Sequence, residues 1–197
     1  MVNEFPCITL LEGFMNQKFE ELLFLFCSCT IAGMKAGSLF TCRKKDFYNL
    51  FAVLKQYKKL LQKDNIEIEV LLEREDSVLL YIYRKELLLN IWNQKASEKF
   101  LLKQGYSFSV EKNLAILKQK RSDDEFPHDI GIFLGYSIED IISFIEHKGK
   151  NCKYIGPWKV YHKKKEKLRL FEKFKKCNDY YLHSFYSGNN LKQLLCV

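Results

Sequence analysis

Apolar residues recur at three- and four-residue spacing through positions 45–63, where Phe47, Leu50, Phe51, Leu54, Tyr57, Leu60 and Leu61 form one face and lysines fill the other. That periodicity predicts an amphipathic helix. Positions 66–72 and 78–83 are apolar, β-branched runs joined by Arg74, Glu75, Asp76 and Ser77, the pattern of an antiparallel hairpin. Further helices are predicted at 17–26, 85–93, 96–103, 110–120 and 163–186. Positions 30–42 read as an irregular strand or strand pair, with Gly33 and Gly37 marking bends or a close backbone approach. Positions 153–161 read as a strand interrupted by Gly156 and Pro157. In order, these elements predict an α+β fold of βαββαβ-like arrangement. An antiparallel or mixed sheet of about four strands carries helices on one face and leads into a helical C-terminal region.

Composition agrees with a packed core, since 47% of the 197 residues are hydrophobic and 15% aromatic. One domain over 1–197 is the expectation, with a candidate sub-region boundary in the polar stretch 121–125. The first residues lack a basic leader and the apolar run 22–29 is too short to span a bilayer, so a cytoplasmic protein that stays out of membranes is expected. Seven cysteines, an odd number in a chain of this size, read as free thiols. Cys27 and Cys29 resemble half of a metal site, although on a regular strand their sulfurs reach one zinc only after local distortion. No second pair completes it, and Cys42 is the nearest further thiol in sequence, so no metal site is predicted and the thiols read as core.

The net charge of +8 is unevenly placed. Positions 1–147 hold 19 Lys and Arg against 21 Asp and Glu, whereas positions 148–197 hold 13 against 3. A basic C-terminal quarter fits either a nucleic-acid or acidic-protein partner or a solvated helix face, because Leu168, Phe171 and Phe174 form an inward stripe among its lysines. The P-loop, GxGxxG, GxSxG and HExxH patterns are all missing from the sequence, which removes their chemistries.

Chemistry is concentrated between positions 126 and 161. Pro127 suits the first turn of a helix, placing His128 at its start, and Asp129 complements the positive end of the helix dipole. Ser137 and Asp140 approximate a capping box, followed by the stripe Ile138, Ile141, Ile142 and Ile145. The two short helices imitate a helix-turn-helix, but Glu139, Asp140 and Glu146 oppose phosphate, so DNA recognition is not favoured. Beyond them, Lys148, Lys150 and Lys153 surround Asn151 and two glycines in a loop suited either to an anion or to a plain turn. Period two places Trp158 and Val160 on one strand face and Lys159 and Tyr161 on the other, the latter pair directed together at a ligand. Lys35, set among small residues, is either an anion contact or a surface lysine. Arg84, ending the hairpin, either binds an anionic group or forms a salt bridge to Glu73 or Glu75.

The stretches TIAGMKAGSLF (30–40), FPHDIGIFLGYSIEDIISFIEHKGKN (126–151) and GPWKVY (156–161) resemble the domain of unknown function numbered 3793, a family of anaerobic Gram-positive bacteria. Asp129 and Pro157 stand where that family usually carries Glu and Cys. The resemblance implies a bacterial, cytosolic, single-domain protein and supplies no mechanism or cofactor. The residues themselves favour binding of an anionic small molecule through Lys35, Arg84, His128, Asp129, Lys148, Asn151, Trp158, Lys159 and Tyr161. The alternatives are the basic 148–176 region acting as a binding surface, and an enzyme that uses His128 with Asp129 or a thiol.

Overall fold

The computed structural model describes residues 6–120 and 127–195, with side chains from residue 16 onward. The elements run α1 (Pro6–Ile31), β1 (Gly37–Arg43), α2 (Leu50–Leu61), β2 (Glu67–Glu73), β3 (Ser77–Tyr83), α3 (Lys85–Trp92), α4 (Lys95–Lys103) and α5 (Val110–Lys120). They continue with α6 (Ile130–Phe133), α7 (Ile138–Glu146), β4 (Tyr154–Ile155), β5 (Lys159–Val160), α8 (Lys164–Tyr186) and α9 (Leu191–Leu195). The expected boundary at 121–125 lies outside the described residues. No described helix is long and apolar enough to cross a membrane.

The main sheet has three antiparallel strands in the order β1-β3-β2. β3 is central, and its side chains alternate between two apolar layers. Val78, Leu80 and Ile82 join Phe19, Phe24, Leu54, Tyr57 and Phe185 from α1, α2 and α8. Tyr81 and Tyr83 point the other way, to Leu88, Trp92, Leu117, Phe133 and Ile141 of α3 to α7. An apolar run without polar alternation is the signature of a strand buried on both faces. The expectation of helices on one face is therefore corrected to helices on both.

The predicted fourth strand does not join the sheet. Tyr154 pairs with Val160 and Ile155 with Lys159 in a separate two-stranded ribbon, because Gly156 and Pro157 turn the chain back on itself. The helix expected over 45–63 is divided too. Residues 44–46 form a 3-10 turn, and the Asn49 side chain accepts the Ala52 N–H at 3.0 Å, so the α-helix starts at Leu50. A second 3-10 turn follows at 62–64 and ends at Asn65 in the left-handed conformation.

The expected strand over 30–42 is shorter at its start, because α1 continues to Ile31, residues 32–36 turn, and only Gly37–Arg43 is extended. Cys27 and Cys29 consequently lie on a helix, where a two-residue step rotates side chains by about 200° and sends them to opposite sides. Cys27 enters the core, and burial raises its thiol pKa. Burial pushes Cys42 up to about 12 in the same layer. Among the described residues no group of three His, Cys, Asp or Glu is placed to hold a metal ion.

Arg84 joins the layers. Its guanidinium donates to the carbonyls of Thr30 (2.8 Å), Ile31 and Asp64 (2.9 Å). Two of these carbonyls belong to the last turn of α1, where Thr30 also accepts the Gly33 N–H at 3.1 Å and a cation meets the negative end of the helix dipole. Both expectations for Arg84, an anionic ligand and a salt bridge to Glu73 or Glu75, are replaced by this capping role. Gly37 is required nearby because a Cβ there would sit 2.5 Å from the Tyr81 ring and 2.7 Å from the Phe133 carbonyl, and the Tyr81 hydroxyl donates to that carbonyl.

Candidate functional site

The ribbon is too short to hold its own position, and a buried carboxylate fixes it. Asp140, 2% exposed on α7, accepts the backbone N–H groups of Tyr161 (2.8 Å) and His162 (3.0 Å) on one oxygen. Its other oxygen accepts Trp158 Nε1 at 3.0 Å and the Ser137 hydroxyl at 2.7 Å. Burial raises the pKa of this carboxyl, but the four hydrogen bonds outweigh burial and leave it below its ordinary value. Ser137 is at the N-cap of α7 but donates to Asp140 and accepts no backbone N–H, so a side-chain bond stands in place of the predicted capping box.

Docked in this way, the ribbon faces α6 and α7 across a cleft of about 290 Å³. Its walls are aromatic and aliphatic. The Tyr136 ring stacks on Trp158 with centroids 4.6 Å apart, and Phe171 from α8 backs Trp158 edge-on at 4.6 Å. Phe144, Ile130, Ile141, Pro127 and Pro157 complete the apolar lining. Gly131 lets α6 and α7 come together, since a Cβ there would lie 3.1 Å from Ile141 Cγ1 and from Tyr136 Cδ2.

Three polar side chains line the cleft: His128, Lys159 and the fully engaged Asp140. The His128 ring stands edge-on to Phe144 at 5.0 Å. Lys159 Nζ donates to the Gly149 carbonyl at 2.9 Å and lies 5.6 Å from the Phe144 centroid. Among the described residues no carboxylate forms an ion pair with Lys159. An ammonium has three donors, so two remain after the Gly149 bond.

The family described as Protein of unknown function (DUF3793) matches residues 23–195. The chain belongs to that family. No curated protein and no solved structure matches it. In this DUF3793 chain the stretches 126–151 and 156–161 that carry the resemblance meet at the cleft, with Pro127, His128 and Gly131 from the first and Pro157, Trp158 and Lys159 from the second.

Of the residues expected to bind a ligand, the DUF3793 chain brings His128, Trp158 and Lys159 together. Lys35 lies one layer behind, its Nζ 5.7 Å from the Tyr136 centroid, and burial pulls its amine below the ordinary lysine value. Asp129 is 3% exposed and turns inward to Lys120 at 2.8 Å; it neither caps α6 nor pairs with His128. Tyr161 is also turned away, buried and stacked against His147 at 5.7 Å, so Lys159 and Tyr161 do not converge. β5 is only two residues long and Tyr161 already lies beyond it, which is why period two fails there. Lys148 and Asn151 are exposed turn residues with positive φ, outside the lining. Arg84 belongs to the α1 cap.

The helix-turn-helix likeness reduces to a four-residue α6 and a nine-residue α7 whose Ile138, Asp140, Ile141 and Ser143 are buried and whose exposed side carries Glu139 and Glu146, the wrong charge for a phosphate-lined groove. On α8, Leu168, Phe171 and Phe174 are half-buried while most lysines are exposed. Tyr136 and Phe144, which wall the cleft, were not among the residues expected to bind a ligand. An aromatic directly after a glycine turn was the available signal.

Proposed function

We propose that this protein binds a small molecule with a flat apolar body and an anionic group in the cleft between α6, α7 and the ribbon. The observation that supports this reading is Lys159: a lysine amine among aromatic walls, hydrogen-bonded to one carbonyl and paired with no described carboxylate. A cation held in apolar surroundings is stabilised by an incoming anion more than a solvated one is. Asp140 does not compete, since each of its oxygens already accepts two hydrogen bonds. Tyr136, Phe144 and Trp158 supply ring faces and edges for a planar group, and the volume, at the small end for ligand pockets, favours a single-ring compound.

Calorimetric titration with benzoate, benzamide and benzylamine tests the reading, because the three share a ring and differ in charge. Benzoate binds most tightly, by about tenfold over benzamide, consistent with one charge-assisted contact of about 1.4 kcal/mol. Equal affinity for all three, or no heat from any, overturns it.

A further inference from the structure

A second site lies between α1 and α8 and rests on no property of the cleft. Cys29 is turned away from Cys27 and toward α8. Its Sγ lies 3.5 Å from the Phe174 carbonyl oxygen and 3.6 Å from Asn178 Oδ1, which bracket Cys177 on the same helix. Phe174 and Asn178 lie within one turn of Cys177 on α8, which sets the Cys177 thiol beside Cys29 across the α1–α8 seam. The two cysteines are 148 positions apart in the chain, so only the packing of α1 on α8 brings them together. Cys29 is buried, whereas Cys177 is partly open to solvent.

We propose that Cys29 and Cys177 form a reactive dithiol that is converted to an intramolecular disulfide by low-molecular-weight disulfides of the glutathione class. The more exposed sulfur, Cys177, attacks first as its thiolate. A bond forms between Cys177 Sγ and one sulfur of the reagent, and the reagent's own S–S bond breaks and releases one thiolate. Cys29 then attacks Cys177 Sγ, expelling the second reagent thiolate. Two protein thiols are oxidised, one reagent disulfide is reduced to two thiols, and the two protons leave on those thiols.

The surroundings assign the roles. The neighbouring Cys29 thiol holds Cys177 below its ordinary pKa, while the Cys177 neighbour and burial raise Cys29. A partly exposed, lowered thiol beside a buried partner is the arrangement of an attacking and a resolving cysteine. Cys27 and Cys42 lie buried in the core layer, away from the surface from which a reagent arrives.

Incubation of the full chain with oxidised glutathione, followed by non-reducing peptide mapping, tests the proposal. The expected product joins the peptides that carry Cys29 and Cys177, is reversed by dithiothreitol, and is lost in both Cys29→Ala and Cys177→Ala. A stable glutathione adduct on Cys177 with no cross-link, a cross-link through other cysteines, or no reaction overturns it. Phenylarsine oxide, which bridges two adjacent thiols without oxidant, gives an independent reading even if one variant folds poorly. The wild-type chain retains it after gel filtration and Cys177→Ala does not; failure of the wild-type chain to retain it also overturns the proposal.

Discussion

The two faces of the central sheet are covered by helices of different length, and the cleft lies on only one of them. α1 and α8, of 26 and 23 residues, lie with α2 across one face and meet Phe40, Val78, Leu80 and Ile82 in a continuous aromatic and aliphatic layer. The other face carries five helices of 4 to 11 residues. Short helices end often, and each end brings turns, caps and polar side chains to the layer. A closed layer results where two long apolar stripes meet a sheet, with grooves on its outer surface, between α1 and the end of α8. An open pocket with polar groups results where short pieces meet each other and a two-residue ribbon.

Arg84 tests the closed face and carries the largest expected effect. Arg84→Ala removes the guanidinium from the carbonyls of Thr30, Ile31 and Asp64, of which Thr30 keeps the Gly33 N–H, a loss of about 3–5 kcal/mol for a charged, three-bond contact that is not fully additive. Urea denaturation measures it. Arg84→Lys recovers only a part, because an ammonium cannot reproduce the planar fork. A change below about 1 kcal/mol in Arg84→Ala would show that the long helices hold this face unaided.

Asp140 plays the corresponding part on the open face. Asp140→Asn destabilises by about 2–3 kcal/mol, because the amide turns a donor toward Trp158 Nε1 and the Ser137 hydroxyl, or else toward two backbone N–H groups. The pH dependence has a definite sign. The folded pKa lies below the ordinary value of 3.8, so the stabilisation is fully present above that value and is lost as pH falls through the lower folded pKa. Trp158 fluorescence in a Trp92→Phe background follows the ribbon undocking in acid, and Asp140→Asn flattens that transition. If the transition keeps its midpoint in the variant, another carboxylate holds the ribbon.

Most of the elements on both faces were legible in the sequence, and the failures share a physical cause. The hairpin, α5 and α8 have strong periodicity and are found where predicted. The last two residues of α1 were read as strand because Thr30 and Ile31 favour strands locally, while Arg84, distant in sequence, caps the helix end. The ribbon was read as a sheet strand because pairing partners are not encoded in one strand's composition. His128, Trp158 and Lys159, which line the cleft, stood out in the sequence as unusual residues near glycine and proline. Asp140 was recognised as a helix-start residue, but its four partners come from a turn and a ribbon whose docking no local pattern records. Tyr161 and Asp129 were misplaced for the same reason, since both directions depend on packing partners from other elements.

Gly131→Ala sharpens the comparison at the seam of α6 and α7. The new methyl meets Ile141 and Tyr136 at 3.1 Å, so the two helices shift apart or the Tyr136 ring swings, at a cost of about 1 kcal/mol. Because Tyr136 is also a cleft wall, benzoate affinity falls with it. An equivalent overpacking change on the closed face, away from the cleft, destabilises without touching binding.

Lys159→Met has the smallest expected effect on stability and is the most direct test of what the open face is for. The side chain is half-buried and makes one hydrogen bond, to the Gly149 carbonyl, so the fold loses no more than about 1 kcal/mol. Methionine keeps the length and the contact with Phe144 while removing the charge. Benzoate binding falls about tenfold and benzamide binding stays level, because only the carboxylate used the ammonium. A polar residue whose removal leaves stability in place but changes which ring compounds bind is positioned for a ligand, whereas Arg84 and Asp140 are positioned for the fold. If Lys159→Met instead lowers stability as much as Asp140→Asn and leaves the order of benzoate over benzamide unchanged, the two faces differ in shape alone and the cleft is a packing gap.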